Sequence, residues 1–255
     1  MRTIKLIIEY DGTAYCGWQS QKTGCSVQET IEKALKKILG EKITVTGAGR
    51  TDSGVHAKGQ VASFRTVSDL EPGRIRKALN ANLPTDIRIA GAVDSAPGFN
   101  AQFDAKSKIY RYTIVRSDCM SPFLVKYAAP VSYDLDIGQM LKAAQKLLGR
   151  HDFASFMSAH GSARTSTRTV KNVSVRKRGR LIYIDIEADG FLYNMVRAIA
   201  GTLIEIGRGR MSPAIMGGII SARDRSKAGP TAPARGLCLM RVKYGNPKPT
   251  AQSPN

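Results

Sequence analysis

Ile43-Thr44-Val45-Thr46, Gly47-Ala48-Gly49-Arg50-Thr51-Asp52-Ser53-Gly54-Val55-His56-Ala57-Lys58-Gly59-Gln60, then Val61-Ala62-Ser63-Phe64: the reading of this stretch decides the fold. The two outer segments are short and β-prone, and read as strands. Between them sit one acid, Asp52, one arginine, Arg50, and glycines at 47, 49 and 54. Glycine adopts backbone angles closed to other residues and lets a ligand come close. An acid in such a loop, at the end of a strand, is placed to meet a substrate. Asp52-Ser53-Gly54 also suits an ordinary turn, with the Asp side chain capping its own backbone. Arg50 weighs against that reading, because a turn does not need a cation beside its Asp.

Working outward, Ile4 to Tyr10 is an apolar, β-prone run ended by Asp11-Gly12-Thr13. The only Trp, Trp18, follows in a Gly/Gln-rich loop and reads as packed on the core edge rather than as a base-stacking ring. Ser26-Val27-Gln28-Glu29 is a capping box. Val27, Ile31, Ala34, Leu35 and Ile38 then repeat at helical spacing, and Gly40 closes the helix. Glu71-Pro72-Gly73 opens a second helix through Leu79, stopped before Pro84, and Ile87 to Val93 is a strand. Strand, helix, strand, strand, helix, strand is the split-βαβ, ferredoxin-like order.

The second half repeats that order. Strands are expected over Lys108 to Val115, Val170 to Val175, Leu181 to Ala188 and Leu237 to Tyr244. Helices are expected over Asp136 to Leu148 and Phe191 to Ile206, with an extra one opened by Ser212-Pro213. The expected fold is therefore α+β: two pseudo-symmetric ferredoxin-like halves joined in one extended mixed sheet, with an active-site cleft at the junction. The halves are 1–105, carrying Asp52, and 106–245. The tail 246–255 is expected to be disordered.

The 255 residues are 42% hydrophobic, enough for a real core. Lys and Arg number 39 against 20 Asp and Glu, a net +19. Such an excess favours a polyanionic partner, nucleic acid before an anionic membrane. Glu9 ends the first apolar run, so no signal peptide is expected. The best long apolar run, around Met195 to Ile206, contains Arg197 and Glu205, so no membrane span is expected. Cys16, Cys25, Cys119 and Cys238 form no Cys-x-x-Cys pair, and His56, His151 and His160 have no ligand spacing. That reads as no metal site and reduced cytoplasmic thiols.

Between Arg150 and Arg180 lie Arg150, Arg164, Arg168, Lys171, Arg176, Lys177, Arg178 and Arg180, against the acid Asp152. So cationic a face favours phosphate over plain solvent. Ser158 to Thr169, rich in Ser, Gly, Thr and Arg, is expected to order on RNA. The rival to an enzyme is an RNA-recognition module, whose fold is also ferredoxin-like. Lys58-Gly59-Gln60-Val61-Ala62-Ser63-Phe64 sits on the strand that carries its signature. It offers Gln60, Val61 and Ala62 where stacking aromatics are needed, so that reading loses its platform.

Gly49-Arg50-Thr51-Asp52-Ser53-Gly54-Val55-His56-Ala57 resembles the active-site motif of the tRNA pseudouridine synthase A family. So, in order, do Glu9-Tyr10-Asp11-Gly12-Thr13, Gly17-Trp18-Gln19, Ala78-Leu79-Asn80-Ala81-Asn82-Leu83-Pro84, Lys108-Ile109-Tyr110-Arg111-Tyr112, His151-Asp152-Phe153 and Phe191-Leu192-Tyr193-Asn194-Met195-Val196-Arg197. The resemblance spans Ile4 to Tyr244. It implies isomerisation of uridine to pseudouridine at nucleotides 38, 39 and 40 of the tRNA anticodon stem-loop, without a cofactor. It also implies a homodimer with tRNA spanning both subunits. Asp52 would be the nucleophile, attacking ribose C1′ or uracil C6. Arg197 would pair with Asp52 and keep it ionised. Arg50 would hold the flipped nucleotide out of its stem. Tyr110 would stack on the uracil, its hydroxyl helping to remove the C5 proton.

Overall fold

The computed structural model describes residues 1–21, 24–159 and 164–245. The tail 246–255, and residues 160–163 within the segment expected to order on RNA, lie outside the described residues.

Strand β1 (Arg2–Tyr10) alternates Ile4, Leu6, Ile8 and Tyr10 into the core. Helix α1 (Val27–Leu39) starts as the capping box requires, with Ser26 Oγ accepting from Glu29 N at 3.1 Å. It buries Val27, Ile31, Ala34 and Leu35 and closes at Gly40, φ 71°. Strand β2 (Thr46–Gly47) is a stub, not the strand expected over 43–46. Val45 N donates to Glu32 Oε1 at 2.9 Å, so its amide is taken by a helix side chain instead of a ladder. Strand β3 (His56–Thr66) is correspondingly longer than expected. Helix α2 (Pro72–Asn82) and β4 (Ile87–Ser95) complete the first run.

The second run holds β5 (Ala105–Arg116), the short β6 (Ala129–Val131), α3 (Ile137–Ala144), β7 (Gly149–Asp152), β8 (Thr167–Arg178) and β9 (Leu181–Ala188). It ends with α4 (Met195–Gly207), α5 (Ile215–Ala222) and β10 (Leu237–Tyr244). Strands β6 and β7 had no signal in the pattern. Helix α3 gives way to a 3₁₀ turn at Gln145–Leu147. Helix α4 starts four residues later than expected, because Asn194 stands at φ 60° and breaks the run before Met195. Helix α5 starts at Ile215; Ser212 Oγ accepts from Ala214 N at 3.3 Å, ahead of the helix proper.

One sheet runs β4-β1-β3-β10-β5-β9-β8-β7, with β2 on β3 and β6 on β5. Its main strands split into two sets, β4-β1-β3-β2 and β10-β5-β9-β8, each in the order fourth, first, third, second. The sets meet where β10 pairs parallel with β3 through Cys238↔His56 and Leu239↔Ala57. Gly59 makes that approach possible: a Cβ there would lie 2.5 Å from Met240 O.

Candidate active site

The loop from β2 to β3 stands over this junction. Val55 N donates to Asp52 O at 3.1 Å, so Asp52 to Val55 is a turn. The Asp52 carboxylate, however, faces a cation: Arg197 Nη1 lies 3.7 Å from its Oδ2. The two side chains are only 21% and 19% exposed, respectively.

Several contacts hold the loop rigid. Tyr10 Oη and Thr51 Oγ1 share a 2.8 Å hydrogen bond. Gln60 Nε2 donates to Gly49 O at 2.8 Å, Trp18 N to Thr51 O at 3.1 Å and Ser53 Oγ to Tyr15 O at 3.2 Å. Trp18 is buried, its ring against Gly47, as expected of a core-edge aromatic.

Arg197 reaches the carboxylate from α4, across the β3–β10 seam. Its Nε donates to Ala232 O at 2.8 Å and its Nη1 to Asn194 Oδ1 at 2.7 Å. Asn194 in turn donates to Ser158 Oγ at 3.0 Å. Ala232 belongs to a strap pressed onto α4, where a Cβ at Gly201 would lie 1.7 Å from Pro230 O. The guanidinium is thus fixed by neighbours other than Asp52.

Electrostatics follow from that geometry. Burial pushes the Asp52 carboxyl above the usual aspartate range, and Arg197 opposes the rise. Arg197 pairs with Asp52 at 3.7 Å and favours its ionised form, while burial pulls the other way and outweighs it. A carboxylate left partly unmatched is a stronger base and nucleophile than one on the surface.

Tyr110 and Tyr112 share one face of β5, as alternation requires. Tyr112 Oη donates to Pro233 O at 2.9 Å, which makes it structural. Tyr110 is 6% exposed, and the edge of Phe191 meets its ring at 5.0 Å. Burial, with the Asp52 carboxylate nearby, raises its phenol and holds it protonated. Asp52, Arg197 and Tyr110 therefore come together at the seam, and Arg50 is exposed on the same loop. The supports, Tyr10, Thr51, Gln60, Asn194 and Ala232, were missed from sequence. Tyr10, Thr51 and Asn194 do fall within the motifs that carry the resemblance, which was the available signal.

Two grooves lie on the opposite face of the sheet. One of about 490 Å³ is lined by Arg111, Asp185 and Glu187, the other of about 920 Å³ by Asp11, Lys58, Arg88 and Tyr127 among others. Neither includes Asp52, Tyr110 or Arg197. Among the described residues no group of His, Cys, Asp and Glu could hold a metal, the four cysteines are free, and no helix is long and apolar enough to cross a membrane.

A family model described as tRNA pseudouridine synthase matches residues 6–104 and 143–245. The tRNA pseudouridine synthase A of Pelobacter propionicus is 47% identical over 244 residues, 96% of this chain and 100% of that protein. That of Acetivibrio thermocellus is 48% identical over 244 residues with the same coverage. A solved structure, of a Cbf5-Nop10-Gar1 complex, aligns with 92% of this chain and 48% of that one at a TM-score of 0.39 and 13% identity, too loosely to bear on function. On the family model and these near full-length relatives, the chain belongs to the tRNA pseudouridine synthase family.

Proposed function

We propose that this chain isomerises uridine to pseudouridine at nucleotides 38, 39 and 40 of the tRNA anticodon stem-loop, with Asp52 as nucleophile. The observation that carries the residue assignment is the half-buried Asp52 carboxylate beside a clamped Arg197. Asp52 attacks ribose C1′ or uracil C6, and either route frees uracil N1 from C1′. The base turns, and C5 bonds to C1′. The C5 proton must then leave, and N1 gains one, so the reaction has no net proton change. Tyr110 lies under the base and relays that proton. Its oxygen accepts from C5 while its own proton passes to the released Asp52 carboxylate, whose raised pKa suits it as acceptor. Asp52 then returns a proton to solvent and N1 takes one from solvent, which regenerates the carboxylate. Arg50 holds the flipped nucleotide from the loop's rim. No cofactor is needed for these steps.

Residues 1–105 and 106–245 act as two halves around the seam, a division supported by the two matched segments and the two strand orders. The enzyme works in the cytoplasm as a homodimer with tRNA across both subunits. Incubation with an unmodified tRNA transcript and mapping of pseudouridine tests the activity. No modified uridine in the anticodon arm would overturn it and revive the RNA-binding module.

A further inference from the structure

Two cations stand beside the seam with no role in the scheme above. Lys108 is two residues before Tyr110 on β5 and on the same face. The register runs Lys108↔Ala188 and Val170↔Ala188, so the three residues form one row. Arg168, two residues before Val170 on β8, lies one pleat beyond it on that face. Both cations are half-buried.

Two glycines make room for them. A Cβ at Gly49, in the Asp52 loop, would lie 3.1 Å from Lys108 Cε. A Cβ at Gly190 would lie 3.2 Å from Arg168 Nε. Phe191, the next residue, is the ring packed on Tyr110. Arg168 Nη1 donates to Thr165 O at 2.9 Å and Thr167 O at 2.6 Å, which fixes the fork. Neither cation enters an ion pair among the described residues. The nearby Asp189 carboxylate accepts from Thr169 N at 2.9 Å. Burial and the Arg168 charge push the Lys108 ammonium below its ordinary range, and the Asp189 carboxylate offsets only part of that.

Like charges held together and half-desolvated are unfavourable until an anion sits between them. A phosphate fits both partners, since a guanidinium fork and a mobile ammonium each recognise it. We propose that Lys108 and Arg168 form a phosphate subsite that grips one backbone phosphate beside the target uridine. The inference rests on the proposed tRNA substrate.

The test is tRNA binding and turnover by Lys108→Gln, Arg168→Gln and Lys108→Arg, each with transcripts carrying a single uncharged methylphosphonate along the anticodon arm. Each Gln variant should weaken binding about tenfold and lower the log–log salt slope by roughly 0.7–0.9. Lys108→Arg should recover most of the affinity. One methylphosphonate position should weaken the wild type and cost Lys108→Gln markedly less, because only the Arg168 contact is left to lose there. An unchanged salt slope, or equal losses for wild type and Lys108→Gln at every position, would overturn the subsite. Should a Gln variant not fold, the wild-type scan still decides, because sensitivity at no position also overturns it. Binding is read separately from pseudouridine formation, so an inactive wild type would sink the proposed reaction without deciding the subsite.

Discussion

Asp52 and Asp185 lie on opposite faces of β5, and each meets arginine. Asp185 is matched by geometry: Arg111 Nε and Nη2 reach its two oxygens at 2.7 and 3.1 Å, and Arg176 adds a further bond. The pair raises the Arg111 guanidinium above its ordinary range, and Arg111 also lies over the Tyr183 ring at 5.0 Å. Asp52 has one arginine at 3.7 Å, whose Nη1 is shared with Asn194 and whose Nε serves Ala232. Residue types alone do not separate a structural ion pair from a reactive carboxylate. What separates them is whether the arginine's donors point at the acid or elsewhere.

Exchanging each acid for its amide gives the largest expected effect. Asp52→Asn should cut turnover at least about 10⁴-fold, the scale of losing a nucleophile, while leaving tRNA binding near wild type. Its stability should move the other way. A carboxyl raised on folding binds its proton more tightly when native, so stability falls as pH rises through that raised pKa. The Asn variant should therefore melt at or above the wild-type temperature at pH 7, with the gap closing in acid. Asp185→Asn should keep turnover but lose about 1–3 kcal/mol through its stranded arginines. Turnover by Asp52→Asn within tenfold of wild type would remove the contrast.

Tyr110 tests the reactive face next. Tyr110→Phe keeps the ring and removes the hydroxyl, so binding should hold while turnover falls about 10²–10⁴-fold, the range for a positioned acid–base group. Tyr110→Ala should also lose about 1–3 kcal/mol of stacking. If Phe matches wild type and Ala does not, only stacking survives; if both match, Tyr110 is a core aromatic.

Arg197→Gln sharpens the electrostatic difference. Arg197 opposes the upward push of burial on Asp52, so its removal raises that carboxyl further. Single-turnover rates need the carboxylate, so they rise with pH through its pKa, and the half-point should move to higher pH in the variant. An unmoved half-point would mean that the 3.7 Å contact carries no coupling.

The strand order, the α1 capping box and the Asp52 motif were legible because each rests on local chemistry. Gly40 closes a helix and Ser26 caps one wherever they occur. The shrinkage of β2 was not legible: Ile43-Thr44-Val45-Thr46 has strand character, but Glu32, a helix away, takes the Val45 amide. Nor could spacing reveal that β10 would join β3, a contact between residues more than 170 positions apart. Asp52 and Arg197 were named from sequence, but the clamp on Arg197 depends on a strap and an Asn194 backbone angle that periodicity does not encode. The balance between burial and pairing at Asp52 is likewise a property of the packed seam.

The smallest expected effect concerns cations that belong to neither acid. Arg176 is engaged by Asp185, but Lys177, Arg178 and Arg180 follow it around the β8–β9 hairpin, exposed and outside every ion pair among the described residues. Gly179, at φ 59°, allows the tight turn that presents them together. Exposed cations without partners cost little to place, so stability should not change when all three become Ser. Their effect should appear only as counterion release: each phosphate contact contributes roughly 0.7–0.9 to the log–log slope of affinity against salt. If the hairpin touches RNA, the triple variant should bind tRNA with a slope lower by up to about 2–3 units, and the affinity gap from wild type should narrow as salt rises. Turnover of bound tRNA should be untouched, because the hairpin lies at the far end of the strands from Lys108. Titrations at several salt concentrations decide it. An unchanged slope would make the hairpin a solvated face and leave the cations around Asp52 to supply the electrostatic attraction.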